Sequence, residues 1–323
     1  MNRKFASLYV AAGLSLGMVG TALAQVPNPP TDLSVEGGTS VPSQPTDPGR
    51  TLFFDDFEYD VSRSLTNATT QFRTAGWSHV KAENSAENSG SGYLYTLANS
   101  TRSSRVLVME SVPSMNPPPG DFPYTQTDYY LQYGNESSGS AVPANIWIQF
   151  WTYATPESRF ATRDKTIYPC RGSYPCHPTW LFMWGSGGFE GVSAPAGGRY
   201  LALEAEGADR DTRVNDGNER KLFQNASQTP LLAGRWYQVR LHMDISGTQG
   251  VYEAWIKERG QSSFTKVADW RGGVTPNFSW PLTSANRQPF SVLRSPTTVN
   301  GPGSSTVYID DFAIATSADN LPQ

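Results

Sequence analysis

The sequence contains few charged residues, few histidines and only two cysteines. Charged residues make up 17% of the 323 positions, and histidine occurs three times. The 25 basic and 29 acidic residues give a net charge of −4, which argues against a protein that binds nucleic acids or anionic membranes in general. After the N-terminal segment there is no run of roughly 18 apolar residues, so the sequence predicts no membrane span.

Turn-forming and aromatic residues are abundant instead. The chain has 29 Gly and 24 Pro, and 12% of its residues are aromatic. Together with the low charge content, this composition favours a β-rich extracellular protein over a helical cytosolic one.

Met1–Ala24 has the features of a signal peptide. Arg3 and Lys4 give it a positive start, an apolar run follows, and residues 22–24 fit the small-residue cleavage pattern. Removing Arg3 and Lys4 from the 25 basic residues leaves 23 against 29 acidic residues, a net charge of about −6. We therefore expect a secreted or periplasmic protein.

The rest of the chain divides into three predicted parts. Residues 25–50 form a linker rich in Pro, Ser and Gly, residues 51–316 form one β-jelly-roll domain, and residues 317–323 form a C-terminal tail. No segment has a helical period over three turns. Between the ends of the domain, strands are predicted near Gly76–Lys81, Tyr93–Leu97, Arg105–Ser111, Tyr129–Tyr133, Asn145–Tyr153, Thr179–Trp184, Arg199–Glu206, Trp236–Ile245, Gly250–Lys257, Phe264–Trp270 and Pro289–Leu293. This spacing predicts an all-β fold, a single antiparallel β-sandwich of the jelly-roll type.

The two ends of the predicted domain resemble each other. Thr51–Glu58 reads TLFFDDFE, and Thr306–Ala315 reads TVYIDDFAIA. We expect these terminal strands to lie side by side and close the fold.

Asn145–Tyr153 (NIWIQFWTY) alternates with the period of a strand. One face carries Ile146, Ile148 and Phe150. The other face carries Trp147, Gln149, Trp151 and Tyr153. Flat rings around one amide suit contact with a sugar, because rings stack on its apolar face and an amide bonds its hydroxyls. Burial of both faces in a central strand is the alternative.

Three blocks of sequence resemble the concanavalin A-like lectin/glucanase superfamily, and in particular its jelly-roll polysaccharide lyases. The blocks are the opening FFDDFE, the central GRWYQVRLHMDISGTQGVYEAWI and the closing PFSVLRS…TVYIDDFAIA. The resemblance covers roughly residues 51–316 and implies the fold. It implies less about activity, since lectins, hydrolases and lyases share this fold. The Gln of the lyase pattern has a counterpart in Gln149, but its His has none.

A lyase that cleaves a uronic acid polymer needs a base, a group that neutralises the sugar carboxylate and a proton donor. Gln149 and Arg105 are candidates to neutralise the carboxylate, and Tyr200 and His177 are candidate bases. The two candidate bases have ordinary alternatives. His177 could be a surface residue, and Tyr200 could be a packing residue.

Glu204 and Glu206 are the best pair of carboxylates. Alternate residues on one strand face lie roughly 6–7 Å apart at Cα, which is compatible with the carboxyl separation of about 5–5.5 Å in retaining glycosidases. A polar surface strand or a cation site is the alternative.

Other residues suggest ligand contact or stabilisation. Trp180 and Trp184 would extend a sugar-stacking surface if their strand lies beside Trp147, Trp151 and Tyr153. Asp55, Asp310 and Asp311 cluster if the terminal strands pair, and their oxygens would suit a structural calcium ion, although such residues also occur on ordinary sheet edges. Cys170 and Cys176 predict one disulfide around a small loop.

Three functions remain open from the sequence. The first, which we favour, is a polysaccharide lyase that cleaves an acidic glycan by β-elimination. The second is a non-catalytic carbohydrate-binding or adhesion module. The third is a glycoside hydrolase that uses Glu204 and Glu206. In each case a polysaccharide is the expected partner, and no organic cofactor is expected.

Overall fold

The structure is a computed structural model, and the parts of the chain that it describes all lie after residue 48. They are residues 49–63, 65–81, 86–87, 91–113, 124–127, 130–133, 143, 145–158, 160, 163–167, 179–184, 197–206, 220–223, 229–244, 251–271, 290–294, 297–299 and 303–323. Contacts between Cα atoms divide the chain into Met1–Thr46 and Asp47–Gln323, so the described residues all belong to the second unit. The predicted signal peptide and most of the predicted linker lie outside the described residues.

The described part of the chain consists almost entirely of strands. In chain order the elements are β1 (Thr51–Asp55), α1 (Leu65–Thr74), β2 (His79–Lys81), β3 (Ala86–Glu87), β4 (Ser91–Asn99), β5 (Ser104–Val112), β6 (Tyr124–Thr127), β7 (Tyr130–Tyr133), β8 (Asn145–Ala154), β9 (Arg163–Ile167), β10 (Thr179–Trp184), β11 (Gly198–Glu206), β12 (Arg220–Phe223), β13 (Leu231–Leu232), β14 (Trp236–Asp244), β15 (Val251–Glu258), β16 (Thr265–Arg271), β17 (Phe290–Arg294), β18 (Thr297–Val299), β19 (Ser305–Ala315) and a 3₁₀ helix (Ala318–Asn320).

Eight strands form one large antiparallel sheet, in the order β16-β15-β14-β8-β19-β5-β4, with β1 also paired to β19. A five-stranded sheet contains β12, β11, β10 and β9 in that order, with β13 against β11. Two three-stranded sheets have the orders β17-β7-β2 and β18-β6-β3. Every described strand pairing is antiparallel, so the predicted all-β antiparallel fold is confirmed.

The hydrophobic core lies between the large sheet and the smaller ones. Ile148 and Leu241 from the large sheet belong to the same buried cluster as Leu131, Leu201 and Leu293 from the smaller sheets. These side chains alternate with residues on the opposite face of their strands, as a sandwich with one buried face per sheet requires. We call the face of the large sheet that points away from this core the outer face.

The terminal strands pair as the sequence predicts. Phe53 faces Ile314 and Asp55 faces Phe312 across the β1–β19 ladder. The register of β19 against β8 shifts between Asp310 and Ala313, and Asp311 there has a positive φ of 47°. The repeated DDF motif is therefore a place where the backbone departs from a regular strand.

The structure contains a helix that the sequence analysis does not predict. α1 has ten residues, fewer than three turns, and its Phe72 is completely buried. A segment of fewer than three turns offers too few repeats to establish a helical period. The short strands β3, β6, β9, β12, β13 and β18 were also not predicted.

Among the described residues, no helix is long and apolar enough to cross a membrane.

Candidate functional site

The outer face of the large sheet carries four of the residues that the sequence singles out, all of them on β8. Ile146, Ile148 and Phe150 of β8 belong to the core, which confirms the predicted alternation of this strand. The opposite side of β8, with Trp147, Gln149, Trp151 and Tyr153, belongs to the outer face.

One transverse line of paired positions on this face is rich in aromatic residues. The register pairs Tyr95 with Val108, Val108 with Tyr308, Tyr308 with Tyr153, and Tyr153 with Trp236. The line therefore crosses five neighbouring strands, β4, β5, β19, β8 and β14. At about 4.8 Å per strand it spans roughly 19 Å.

The rings on this line pack against one another outside the sandwich core. The Tyr153 and Tyr308 rings are stacked, with centroids 5.6 Å apart and planes 8° apart, and the Tyr153 and Trp236 centroids lie 5.3 Å apart. Val108 and Trp236 are buried beneath them, whereas Tyr95, Tyr153 and Tyr308 remain partly exposed. We call these three residues the tyrosine row.

The three phenols of the tyrosine row are held in their neutral form. Burial raises the pKa of Tyr95 to about 12, and the Glu110 carboxylate adds to this effect. Burial also raises the pKa values of Tyr153 and Tyr308, with a further contribution from Glu157. At neutral pH each phenol can thus donate a hydrogen bond as well as present an apolar ring.

An ion pair lies beside the Tyr95 end of the row. Arg63 Nε lies 3.0 Å from Glu110 Oε2, and the Tyr95 hydroxyl donates to the same oxygen at 3.3 Å. The guanidinium of Arg63 covers the ring of Tyr93, 3.8 Å from its centroid. The ring of Tyr93 is thus occupied by an internal cation.

The turn between β4 and β5 covers Trp236, which continues the line of paired positions beyond Tyr153. Thr101 Oγ1 accepts a hydrogen bond from Trp236 Nε1 at 2.8 Å. Arg102 lies over the ring of Trp151, 4.7 Å from its centroid, and its Nε and Nη2 donate to Asp310 and Asp311 at 2.7 Å each. Trp151, a predicted sugar-stacking residue, is therefore partly covered by Arg102.

Gln149 is completely buried on the outer face, and both of its polar atoms have partners within the chain. Its Nε2 donates to the Pro322 carbonyl oxygen at 2.6 Å, and its Oε1 accepts from Arg240 Nε at 2.9 Å. Leu321 packs beside it against Ala313, Ala315 and Trp147. In this arrangement the residues after 316 cover Gln149, so its amide is not available to a sugar.

Trp147 belongs to a second polar and aromatic group at the far end of β8. Its ring is stacked on His242, with centroids 4.1 Å apart and planes 9° apart, and lies 5.5 Å from Trp255. His242 Nδ1 lies 2.8 Å from Glu253 Oε2, which in turn is part of a carboxylate that binds Lys266 at 2.7 Å. The ring of Trp147 is thus partly covered by internal partners.

Tyr200 lies in the five-stranded sheet and is only 8% exposed. Its neighbour Leu201 belongs to the core, so strand alternation puts Tyr200 on the opposite face of β11, and Glu204 and Glu206 occupy later alternate positions of the same strand. Gln149 points away from the core on the other sheet. The structure therefore does not bring Gln149 and Tyr200 together at one sugar.

The two tryptophans of β10 are in register with the core-facing positions of β11. Trp180 pairs with Leu203, and Trp184 pairs with Arg199, which is buried. Both lie on a different sheet from Trp147, Trp151 and Tyr153, so the two aromatic strands are not adjacent. The condition for one stacking surface with Trp147, Trp151 and Tyr153 is therefore not met, and a separate sugar contact by Trp180 and Trp184 stays a prediction.

Arg105 and three other predicted residues lie away from the tyrosine row or outside the described residues. Arg105 Nη1 lies 3.2 Å from Asp60 Oδ1, and its position on β5 alternates with Val106 and Val108 on the outer face. His177, Cys170 and Cys176 lie outside the described residues, so the catalytic histidine and the disulfide stay predictions.

The three aspartates proposed for calcium do not form one group. Asp55 accepts hydrogen bonds from Trp77 Nε1 at 2.6 Å and the Tyr59 hydroxyl at 2.8 Å. Asp310 and Asp311 share the Arg102 guanidinium, which already supplies a cation between them. In the part of the chain that the structure describes, no group of three His, Cys, Asp or Glu residues could hold a metal ion. These residues as arranged do not fit a calcium ion.

Sequence reasoning found Tyr153 but not Tyr95 and Tyr308. Each of these two occupies the outer-face position of an alternating strand, so the individual signal was present in YLYTL and TVYID. Their alignment with Tyr153 depends on the strand order β4-β5-β19-β8, which joins residues more than 150 positions apart in sequence.

No protein-family model matches this chain, and a search of curated proteins finds no match. Solved structures do show similarity. One is described as cellulose induced protein, Cip1, with 15% identity, coverage of 82% of this chain and 97% of that chain, and a TM-score of 0.42.

Two further similar structures are those of enzymes. A GH131 beta-glucanase catalytic domain from Podospora anserina has 13% identity, covers 68% of this chain and 78% of that chain, and has a TM-score of 0.38. The alginate lyase vAL-1 from Chlorella virus has 11% identity, 79% and 98% coverage, and a TM-score of 0.34. At these identities and TM-scores the similarities assign no activity to this chain.

Proposed function

We propose that this protein is a secreted or periplasmic carbohydrate-active protein that binds a polysaccharide along the tyrosine row. The observation that carries the proposal is the register that aligns Tyr95, Tyr308 and Tyr153 outside the core while leaving each partly exposed. The solvated face of an antiparallel sheet ordinarily carries polar residues. A cluster of rings there has no role in the sandwich core and is typical of a binding surface.

Tyrosine suits contact with a polysaccharide for two reasons. Its ring offers rigid apolar area to the C–H face of a sugar, and its hydroxyl offers a hydrogen bond to sugar oxygens. The parallel stacking of Tyr153 on Tyr308 fixes both rings before a ligand arrives, which lowers the entropy cost of binding. The row runs across the strands, so a linear chain could contact several rings at once.

The experiment is retention of the mature protein in native gels that contain a dissolved polysaccharide. Tyr153→Ala and Tyr308→Ala should each weaken binding by about tenfold, the usual scale for truncating a central aromatic contact. Phe54→Ala removes a ring that is 45% exposed on β1, outside the row, and should leave binding unchanged. Wild-type retention that neither tyrosine variant reduces would refute the proposal.

A second candidate function is a polysaccharide lyase acting on an acidic glycan, with its site on the five-stranded sheet. Its candidate base is Tyr200, which lies on the face of β11 opposite the core-facing Leu201. In such a reaction a base removes the C5 proton of the uronic acid, and the electron pair forms the C4–C5 double bond. The C4–O bond then breaks, and the leaving oxygen takes a proton from an acid.

The lyase is tested by ultraviolet absorbance of the unsaturated sugar that β-elimination produces. Alginate, glucuronan and pectin are suitable substrates, with Tyr200→Phe as the variant that keeps the ring and removes the hydroxyl. A signal that Tyr200→Phe abolishes supports the lyase. New reducing ends without absorbance would instead indicate hydrolysis through Glu204 and Glu206. If neither product forms, only the binding function is supported.

A further inference from the structure

The charges around the tyrosine row indicate which class of polysaccharide it takes, an inference that rests on the proposed binding function. Glu110 and Glu157 both lie beside the row, and Asp310 and Asp311 lie two and three residues after Tyr308 on β19. Arg63 and Arg102 pair with three of these four carboxylates, Glu110, Asp310 and Asp311.

Both arginines are already engaged. Arg63 binds the Glu110 carboxylate at 3.0 Å, and Arg102 binds Asp310 and Asp311 at 2.7 Å each. Neither guanidinium can bind a sugar carboxylate without giving up an internal partner. At the Tyr95 end, the Arg63 guanidinium compensates the negative charge of Glu110.

Two more cations lie beyond the buried Trp236 end. Arg259 donates to the carbonyl oxygen of Thr101, in the turn that covers Trp236. Lys257 lies 5.9 Å from the ring centroid of Trp151 and 4.8 Å from that of Phe264. Neither contacts a member of the tyrosine row among the described residues.

Glu157 is different, because it is exposed and has no cationic partner among the described residues. It lies in the turn that follows β8, where Thr155 N and Ser158 Oγ both bond the Thr306 carbonyl oxygen. Glu157 follows Tyr153 by four residues, and its turn is bonded to Thr306, two residues before Tyr308, so the turn lies beside the stacked pair. In keeping with this position, the Glu157 carboxylate contributes to the raised pKa values of Tyr153 and Tyr308. The stacked pair at the centre of the row thus has an uncompensated negative charge beside it.

We infer that the tyrosine row binds an uncharged polysaccharide and that Glu157 excludes acidic ones. A hydroxyl-rich neutral sugar loses nothing beside a carboxylate and can donate a hydrogen bond to it. A uronic acid or sulfated sugar at the same place would bring a second negative charge with no counterion, and such repulsion weakens binding. The effect should diminish with salt, since the charges are exposed.

The test compares native gels that contain hydroxyethylcellulose or galactomannan with gels that contain alginate. Wild-type protein should be retained by a neutral polymer and run freely in alginate. Glu157→Lys should gain alginate binding by about tenfold or more at low salt. Asp269→Lys, which makes the same change in net charge at the exposed β16 edge of the same sheet, should gain no such binding.

Each outcome bears on a different claim. Wild-type retention in alginate that Tyr153→Ala abolishes would overturn the inference and leave the proposed binding function standing. Equal behaviour of Glu157→Lys and Asp269→Lys would also overturn it, because a general charge effect would then explain the gain. Free migration in every gel would overturn both the inference and the binding function.

Discussion

The Nε2 atom of Gln149 donates a hydrogen bond to the backbone oxygen of Pro322 over 2.6 Å, although the two residues are 173 positions apart in sequence. This bond fixes the C-terminal segment on the outer face of the large sheet. It also gives Gln149 a structural role on the face where the sequence suggested sugar contact.

Gln149→Ala should therefore destabilise the protein without altering polysaccharide binding. The change leaves Arg240 Nε and the Pro322 carbonyl oxygen without their partner, which costs about 2–3 kcal/mol in the free energy of unfolding. Urea denaturation measures the cost, and Gln261→Ala is the matched control, because it removes only a solvent-exposed hydrogen bond from Glu258 N at a turn. A variant with wild-type stability but lost binding or lyase activity would show that the amide acts on the sugar.

The C-terminal segment should contribute to stability in its own right. Leu321 is buried against Ala313, Ala315 and Trp147, and the Asn320 carbonyl oxygen accepts from Thr51 Oγ1 at 2.8 Å. Leu321→Ala should cost about 2–3 kcal/mol, the usual range for truncating a buried leucine. Gln323 lies two residues further on and is exposed, so Gln323→Ala should hardly change the free energy of unfolding. Thermal melts of the two variants measure the difference. Equal melting temperatures for the two variants would show that the segment does not pack as described.

The two neighbouring aspartates of the first DDF motif should differ sharply in importance. Asp55 accepts from Trp77 Nε1 and the Tyr59 hydroxyl in the protein interior, whereas Asp56 is exposed. Asp55→Ala leaves both donors without an acceptor and should cost about 3 kcal/mol in the free energy of unfolding. Asp56→Ala should cost less than about 1 kcal/mol in the same urea titration. A reversed order would contradict the assignment of Asp55 to the core.

The pH dependence of stability should carry a contribution from Asp310. Burial raises its pKa to about 6 even though Arg102 and Ser104 bond the carboxylate. In the folded protein Asp310 then binds a proton more readily than in the unfolded chain. Its contribution to stability is therefore present at about pH 4 and is lost as the pH rises through about 6. The loss amounts to about 3 kcal/mol for a pKa shift of this size.

Asp310→Asn removes this titration. The free energy of unfolding of the wild type, measured relative to Asp310→Asn by denaturant titration, should fall as the pH rises from about 4 to about 7. A relative stability that rises over the same interval would show that the Arg102 ion pair outweighs burial.

Much of the fold is predictable because strand periodicity is local. Residues such as Ile148 alternate with residues such as Trp151 along β8, and this alternation assigns each residue to one face of the strand. The pairing of the terminal strands was predictable for a similar reason, since both carry the DDF motif. α1 was not predictable, because its ten residues fall short of the window of roughly 11 residues over which a helical period is read.

The candidate site was less predictable, because its contacts join distant parts of the chain. The local sequence indicates that Gln149 and Asp310 are polar residues in strands. It does not indicate that Pro322 covers Gln149 or that Arg102 neutralises Asp310. The sequence shows the carboxylates that suggested a calcium site. It does not show that the Arg102 guanidinium lies between Asp310 and Asp311. Likewise Tyr308 lies beside Tyr153 only once the strand order is known.

The most direct test of the central claim is oxidative footprinting by mass spectrometry, with and without a bound polysaccharide. Hydroxyl radicals label exposed rings, so a ligand on the tyrosine row should protect Tyr95, Tyr153 and Tyr308 and leave the labelling of Phe54 unchanged. Protection of those three tyrosines is the result we predict. Binding without any change in their labelling would contradict the account and locate the polysaccharide elsewhere on the protein.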